Sequence, residues 1–220
     1  MSIRRTSRRP LRKTKKLRLF VTFEGIDGSG KSTQLWKAAR FLRAQGYRVK
    51  TLREPGSTGV SERIRRILLD RRATIAPTTE LLLYAAARAE IVRREIAPAL
   101  KRGEVVLCDR FYDSTTTYQG YGRGLDMRAI KTLHRMAVGD TVPDLTFVLD
   151  VDLKTASARR SKKPDRLESE SRLFHNRVRR GFREIAKKES RRVKLVDGSR
   201  HIDDIFEDVR SHLVRRLSRK

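Results

Sequence analysis

The chain has 220 residues, 38% of them hydrophobic, which suits one domain with its own core and is too short for several. A single cysteine, Cys108, excludes an intrachain disulfide and fits a reducing, cytoplasmic setting, and no apolar run approaches the length of a membrane span. Net charge is +27, from 53 Lys and Arg against 26 Asp and Glu, a balance that favours anionic partners.

The first 18 residues, MSIRRTSRRPLRKTKKLR, hold nine basic side chains and no acidic one. Residues 1–17 are therefore expected to form a disordered basic arm, ahead of a single domain over 18–220. Without those 18 the balance is still 44 against 26, so the folded part is basic too. The arm could give sequence-independent contacts to nucleic acid. It lacks the apolar spacing of an amphipathic transit peptide.

Residues 17–24 (LRLFVTFE) read as a strand that runs straight into a glycine loop. A helix is expected over 31–45, stopped by Gly46, and a strand over 47–52. Residues 61–72 are helical, with Ile64, Ile67 and Leu68 on one face. A long helix follows over 78–101, with Pro98 near its end, where a kink costs least. Strands at 104–108, 145–151 and 193–196 alternate with helices at 126–138, 172–189 and 203–216. The alternation predicts an α/β fold: a five-stranded parallel sheet with helices on both faces.

The loop at 25–33, GIDGSGKST, matches the Walker A pattern and has the strand before and helix after that the pattern needs. Glycines let backbone N–H groups turn toward phosphate oxygens, and the following helix points its positive end at them. Gly25, Ile26, Asp27, Gly28, Ser29, Gly30, Lys31, Ser32 and Thr33 are thus expected to hold a nucleoside triphosphate, with ATP the co-substrate. Lys31 brings a point charge to the β- and γ-phosphates, and the Ser32 hydroxyl suits Mg²⁺. Asp27 is out of place among phosphates unless it serves a second ligand.

The acceptor is read from four distant segments: LREPGST (52–58), YAAAR (84–88), DRFYDSTTTYQGYGRG (109–124) and DRLE (165–168). In this order, behind EGIDGSGKST and ahead of or around PDLTFVLDV, they resemble the thymidylate kinase family over about residues 18–215. The resemblance implies a P-loop nucleoside monophosphate kinase fold with a short lid near 154–168. It implies ATP-dependent phosphorylation of dTMP to dTDP, with Mg²⁺ as cofactor, and a homodimer packed through helices.

Residue by residue, Asp109 ends the third strand like a Walker B acid able to reach Mg²⁺, directly or through water. Arg110, Arg53 and Arg65 are candidates for the acceptor phosphate, whose two charges suit guanidinium forks. The resemblance puts Tyr84 on the thymine ring and Arg88 on the base O4, and the i, i+4 spacing puts both on one helix face. It puts Thr115 and Gln119 around the base and sugar, Tyr118 against the 2′ position, and Asp27 on the sugar 3′-hydroxyl. Where some family members carry an arginine in the glycine loop this chain has Gly28, so the catalytic arginine is expected from the lid, as Arg159 or Arg160. Arg159 is favoured by its distance from DRLE.

Two other functions fit parts of the pattern. A deoxynucleoside kinase would need a carboxylate base near the sugar, and Glu54 is the candidate, although REPG is an unusual setting for it. A P-loop protein that binds nucleic acid through its basic arm would need no acceptor at all.

Overall fold

The computed structural model describes residues 15–160 and 164–218. The expected arm therefore falls almost wholly outside the described residues, as do lid positions 161–163. Its last three residues, 15–17, are attached: Lys15 N–H donates to Gly46 O and Leu17 N–H to Gly103 O, both at 2.9 Å.

Five parallel strands lie in the order β2-β3-β1-β4-β5: β1 (Leu19–Glu24), β2 (Val49–Arg53), β3 (Val105–Asp109), β4 (Leu145–Asp150) and β5 (Val193–Asp197). Every residue of β1 is buried, as a central strand covered on both faces must be. The two faces follow the period of two. Leu19, Val21 and Phe23 face α1 (Lys31–Ala44) and α9 (Ile202–Leu217), where Leu35, Ala38, Val209 and Leu213 close the core. Phe20, Val106 and Cys108 face the other way, against Ile91, Ile96 and Phe111. Farther along that face, Val148 and Val193 meet Val178, Phe182 and Ile185 of α8 (Arg172–Lys188).

Helix α2 (Gly59–Leu69) starts on Thr58, whose hydroxyl accepts from Ser61 N–H at 3.1 Å. Helix α3 (Pro77–Ile91) packs between α2 and α6 (Met127–Val138). The long helix expected over 78–101 is interrupted. A π-helical turn, Val92–Ile96, joins α3 to α4 (Ala97–Lys101), with Ala97 N–H bonded back to Val92 O. Pro98 explains it: its ring crowds the carbonyl four residues back and it has no N–H, so the turn before it opens.

Two helical segments carry no clear apolar period and were not predicted from sequence. One is α5 (Tyr112–Thr115), continued by a π-helical turn over Thr116–Gly122; the other is α7 (Leu153–Ala158). Threonine and glycine are poor helix formers. The first segment is held by packing instead: a Cβ on Gly122 would lie 2.5 Å from the Phe174 ring, and one on Gly181 2.8 Å from Tyr121. That close approach lets the turn present Tyr118 and Gln119.

The register aligns Phe23 with Asp109 and Asp109 with Arg53, so the carboxyl ends of β1, β2 and β3 form one rim. No helix among the described residues is long and apolar enough to cross a membrane. Phe147 is fully buried and 5.4 Å from the Phe23 ring. Phe147→Ala should therefore cost about 3–5 kcal/mol in urea unfolding, and a loss below about 1 kcal/mol would contradict this core.

Candidate active site

The rim carries two cavities that share a wall. The larger, about 730 Å³, is lined by the glycine loop from Asp27 to Thr33 and by Arg53, Arg65, Asp109 and Arg159. The narrower is a slot between Tyr84, Arg88, Phe111, Thr115, Tyr118 and Gln119. Asp27, Glu54, Arg65 and Arg110 line both.

The loop is shaped by its glycines. Gly28 has φ +85°, and a Cβ there would lie 2.1 Å from Ala156 O in α7. Gly30 has φ +94°, and a Cβ there would meet nothing within 4 Å, so this part of the loop is open toward a ligand. Gly25, Ile26 and Ser29 are buried beneath it. Lys31 donates to Ile26 O at 2.9 Å and stands 3.8 Å from Asp27. Burial, with the nearby Arg110 charge, lowers its pKa.

Ser32 Oγ donates to Asp109 Oδ2. That adjacency supplies two hard oxygen ligands at the mouth of the loop. No cluster of three or more His, Cys, Asp or Glu side chains suited to a metal occurs among the described residues. Such a sparse oxygen set fits Mg²⁺, which takes most of its ligands from phosphates and water.

Arg110 is the most engaged cation of the rim. Its backbone is left-handed, φ +68°. One terminal nitrogen donates to Gly25 O and Ser114 Oγ, both at 3.0 Å, and the other to Asp27 Oδ1 at 2.6 Å and the Tyr118 hydroxyl at 3.4 Å. The sequence expectation of a fork aimed at phosphate is thus altered: four donors are held by the protein and Nε remains. Burial pushes Asp27 up, but Arg110 and Lys31 outweigh it and hold the carboxyl below the usual aspartate range.

Arg53 and Arg65 are freer. Arg53 is half-exposed and paired with Glu62 at 3.0 Å; Arg65 donates one nitrogen to Pro55 O at 2.9 Å. Burial lowers the Arg65 pKa, and the like charge of Arg53 adds to it. Cations held this close without an equal number of acids form an anion site.

In the slot, Arg88 is fully buried. It forms an ion pair with Glu54 at 2.6 Å and donates to Thr115 Oγ1 at 2.7 Å. Its second terminal nitrogen is buried without a hydrogen bond to the described residues. A buried unpaired donor costs about 1–3 kcal/mol, so this geometry suits a ligand carbonyl. Tyr118 is buried against Phe174 and Phe182. Gln119 donates to Glu80 at 2.8 Å.

The two arginines expected from the lid lie apart. Arg159 lines the larger cavity and donates to Gly198 O at 2.7 Å and Ser199 O at 3.3 Å. Arg160 lies in a neighbouring cavity with Ile26, Glu168 and His175. Arg166 reaches instead to Leu68 O at 2.9 Å and to Glu80 at 2.5 Å.

Several residues here were given no role by the sequence. Phe111 packs edge-on to Phe20 and lines the slot, and Arg200, His201 and Ile202 after β5 line the larger cavity. The rule that ligands sit beyond the carboxyl ends of parallel strands would have found the β5 loop. Glu54, the alternative base, is occupied by Arg88.

A Walker A loop on the central strand, sharing a cationic wall with a second, aromatic slot, makes this a P-loop nucleoside monophosphate kinase. The family model for thymidylate kinase matches residues 23–209. A thymidylate kinase of Geobacter sulfurreducens is 48% identical over 210 residues, covering 91% of this chain and 99% of that protein. One from Gloeobacter violaceus is 46% identical over 197 residues, covering 88% and 93%. The crystal structure of thymidylate kinase from Ehrlichia chaffeensis aligns with a TM-score of 0.76 at 36% identity, covering 90% of this chain and 98% of that one. The chain belongs to the thymidylate kinase family.

Under the rim, Glu24 is fully buried, accepting from Phe111 N–H at 2.7 Å and Ser114 Oγ at 2.5 Å. Burial, with Asp113 nearby, pushes it from 4.5 up to about 8. The folded state therefore binds the extra proton, and its stabilising effect, complete below pH 4.5, is lost as pH rises through about 8. Glu24→Gln should gain on the wild type, by on the order of 3 kcal/mol, between about pH 5 and about pH 9 in urea melts. A difference independent of pH would contradict this.

Proposed function

We propose that the protein transfers the γ-phosphoryl group of ATP to dTMP, giving ADP and dTDP, across the wall that its two cavities share. That shared wall is the observation that carries the reading: Asp27, Arg65 and Arg110 face both the triphosphate loop and the Tyr84–Arg88 slot. A phosphate on a nucleotide seated in the slot lies against the same cations as the end of the triphosphate.

A phosphate oxygen of dTMP attacks the γ-phosphorus, the bridging bond to the β-phosphate breaks, and ADP leaves with that electron pair. The attacking oxygen is already ionised, so no general base is needed. The work is positioning and charge neutralisation. Lys31 leaves Ile26 O to follow the β- and γ-phosphates. Ser32 and Asp109, which lie in contact, would hold Mg²⁺, and the ion would supply charge neutralisation for the phosphate oxygens. Arg53 and Arg65 offer free donors to the acceptor phosphate. Arg110, locked by Asp27 and Gly25 O, supplies fixed charge and its Nε.

In the slot, Tyr84 stacks on thymine and the unpartnered Arg88 nitrogen reaches O4, with Thr115 orienting it. Tyr118 crowds the 2′ position and Asp27 accepts from the 3′-hydroxyl. The lid keeps water from the phosphoryl group, with Arg159 the closer of the two lid arginines to the triphosphate cavity. Exposed Ile67, Leu82 and Met136 on the neighbouring helices α2, α3 and α6 suit the helix-packed homodimer. The basic arm remains a candidate for nucleic acid contact.

An ADP-release assay with ATP, Mg²⁺ and each of dTMP, dUMP, dCMP, UMP and thymidine tests the reading. dTMP should give the highest kcat/KM; turnover of thymidine alone would overturn it. In the same assay Arg88→Met should lower kcat/KM for dTMP by about 100-fold, from the lost carbonyl contact and the uncompensated Glu54. Arg159→Ala should lower kcat more than Arg160→Ala; the reverse order would move the catalytic role to Arg160.

A further inference from the structure

Glu80 has no place in the reaction described above, yet it is fully buried and collects three partners. Gln119 Nε2 donates to its Oε1 at 2.8 Å, Arg123 donates to Oε1 at 3.2 Å and to Oε2 at 3.1 Å, and Arg166 of the lid reaches Oε2 at 2.5 Å. Arg123 in turn pairs with Glu170 at 2.6 Å. Glu80 opens α3 and precedes Tyr84 and Arg88 by one and two turns, so the three share a helix face. Burial raises its carboxyl, but the bonds from Arg123, Gln119 and Arg166 outweigh that and keep it below the ordinary glutamate range.

An ionised carboxylate has no proton to give. The Gln119 group facing it must therefore be the NH₂, and the planar amide then turns its carbonyl the other way. Gln119 also lines the slot beside Tyr84 and Arg88, and its Oε1 has no partner among the described residues. We propose that Glu80 is a positioning residue that fixes the Gln119 amide with its carbonyl toward the acceptor base, so that the slot takes pyrimidines carrying an N3–H donor and refuses cytosine, whose N3 is an acceptor. This deepens the thymidylate reading and rests on it.

The two ends of the slot then read the base consistently. Arg88 offers a donor where thymine and uracil carry O4 and cytosine an amino group. Gln119 offers an acceptor where thymine and uracil carry N3–H. A site built on such contacts rejects the mismatched base by leaving buried polar groups unpaired or opposed. Glu80 touches no substrate and acts through Gln119. The tie to Arg166 draws on the other carboxylate oxygen, so loss of the lid contact leaves the amide in place.

The test measures kcat/KM for dTMP and dCMP in the wild type, Glu80→Gln and Arg166→Met. In Glu80→Gln the residue at 80 can donate as well as accept, and Gln119 is free to turn. The dTMP over dCMP ratio should fall by about tenfold or more. Arg166→Met should lower kcat and leave the ratio unchanged. If Glu80→Gln does not fold, Glu80→Asp keeps the negative charge but withdraws the carboxylate by one methylene from Gln119 as well as from the arginines, and should lower the same ratio. An unchanged ratio in a folded Glu80 variant, whatever the loss of rate, would make Glu80 a structural anchor only and overturn the proposal. A wild type that does not use dTMP would instead overturn the reaction on which it rests, which the wild-type arm alone reveals.

Discussion

Like charges crowded in a partly buried cavity are the constraint on which this structure depends. Arg53, Arg65, Arg110 and Lys31 face one space at the carboxyl ends of β1, β2 and β3. Unpaired, they repel, and the lowered pKa values of Lys31 and Arg65 register that cost together with burial. Asp27 offsets part of it through Arg110 at 2.6 Å and Lys31 at 3.8 Å. Glu62 offsets part of it through Arg53. What remains is a surplus of positive charge, which the phosphates of a monophosphate beside a triphosphate would neutralise.

The fold places the cluster by register. Strand β1 delivers Glu24 and the glycine loop, β2 delivers Arg53, and β3 delivers Asp109 and Arg110 at adjoining positions. Buried Glu24 then ties the start of the next segment, accepting from Phe111 N–H and Ser114, while Arg110 turns back to Gly25 O. The loop and the slot are thereby fixed to each other by the Glu24 and Arg110 side chains. Gly28 shows how tightly α7 is packed on this loop. A side chain there would strike Ala156 O, so the loop has no room for an arginine at this position.

Much of this was legible in the sequence because it is local. The glycine loop is nine contiguous residues between a strand and a helix, and Tyr84 and Arg88 share a helix face by spacing alone. The sheet and its order of helices followed from alternation. The rest depends on contacts between distant segments. The π-helical turn over Thr116–Gly122 packs on Phe174 at Gly122, a contact between distant segments that no local propensity encodes. Arg110 looked like a free fork, and only the folded chain shows Gly25 O, Asp27 and Ser114 taking its donors. Glu80 in the first turn of α3 reads as an ordinary helix-start acid. Its burial against Gln119, Arg123 and Arg166 emerges from three separate elements meeting.

The central claim is that the arginine cluster reads the acceptor phosphate while the slot reads the base. Calorimetric titration of dTMP and of thymidine into the wild type, Arg53→Gln and Arg65→Gln addresses it most directly. The account predicts that the wild type binds dTMP at least about 100-fold tighter than thymidine, and that each variant loses most of this advantage while binding thymidine as before. Equal weakening of both ligands in Arg65→Gln, or no phosphate preference in the wild type, would contradict it.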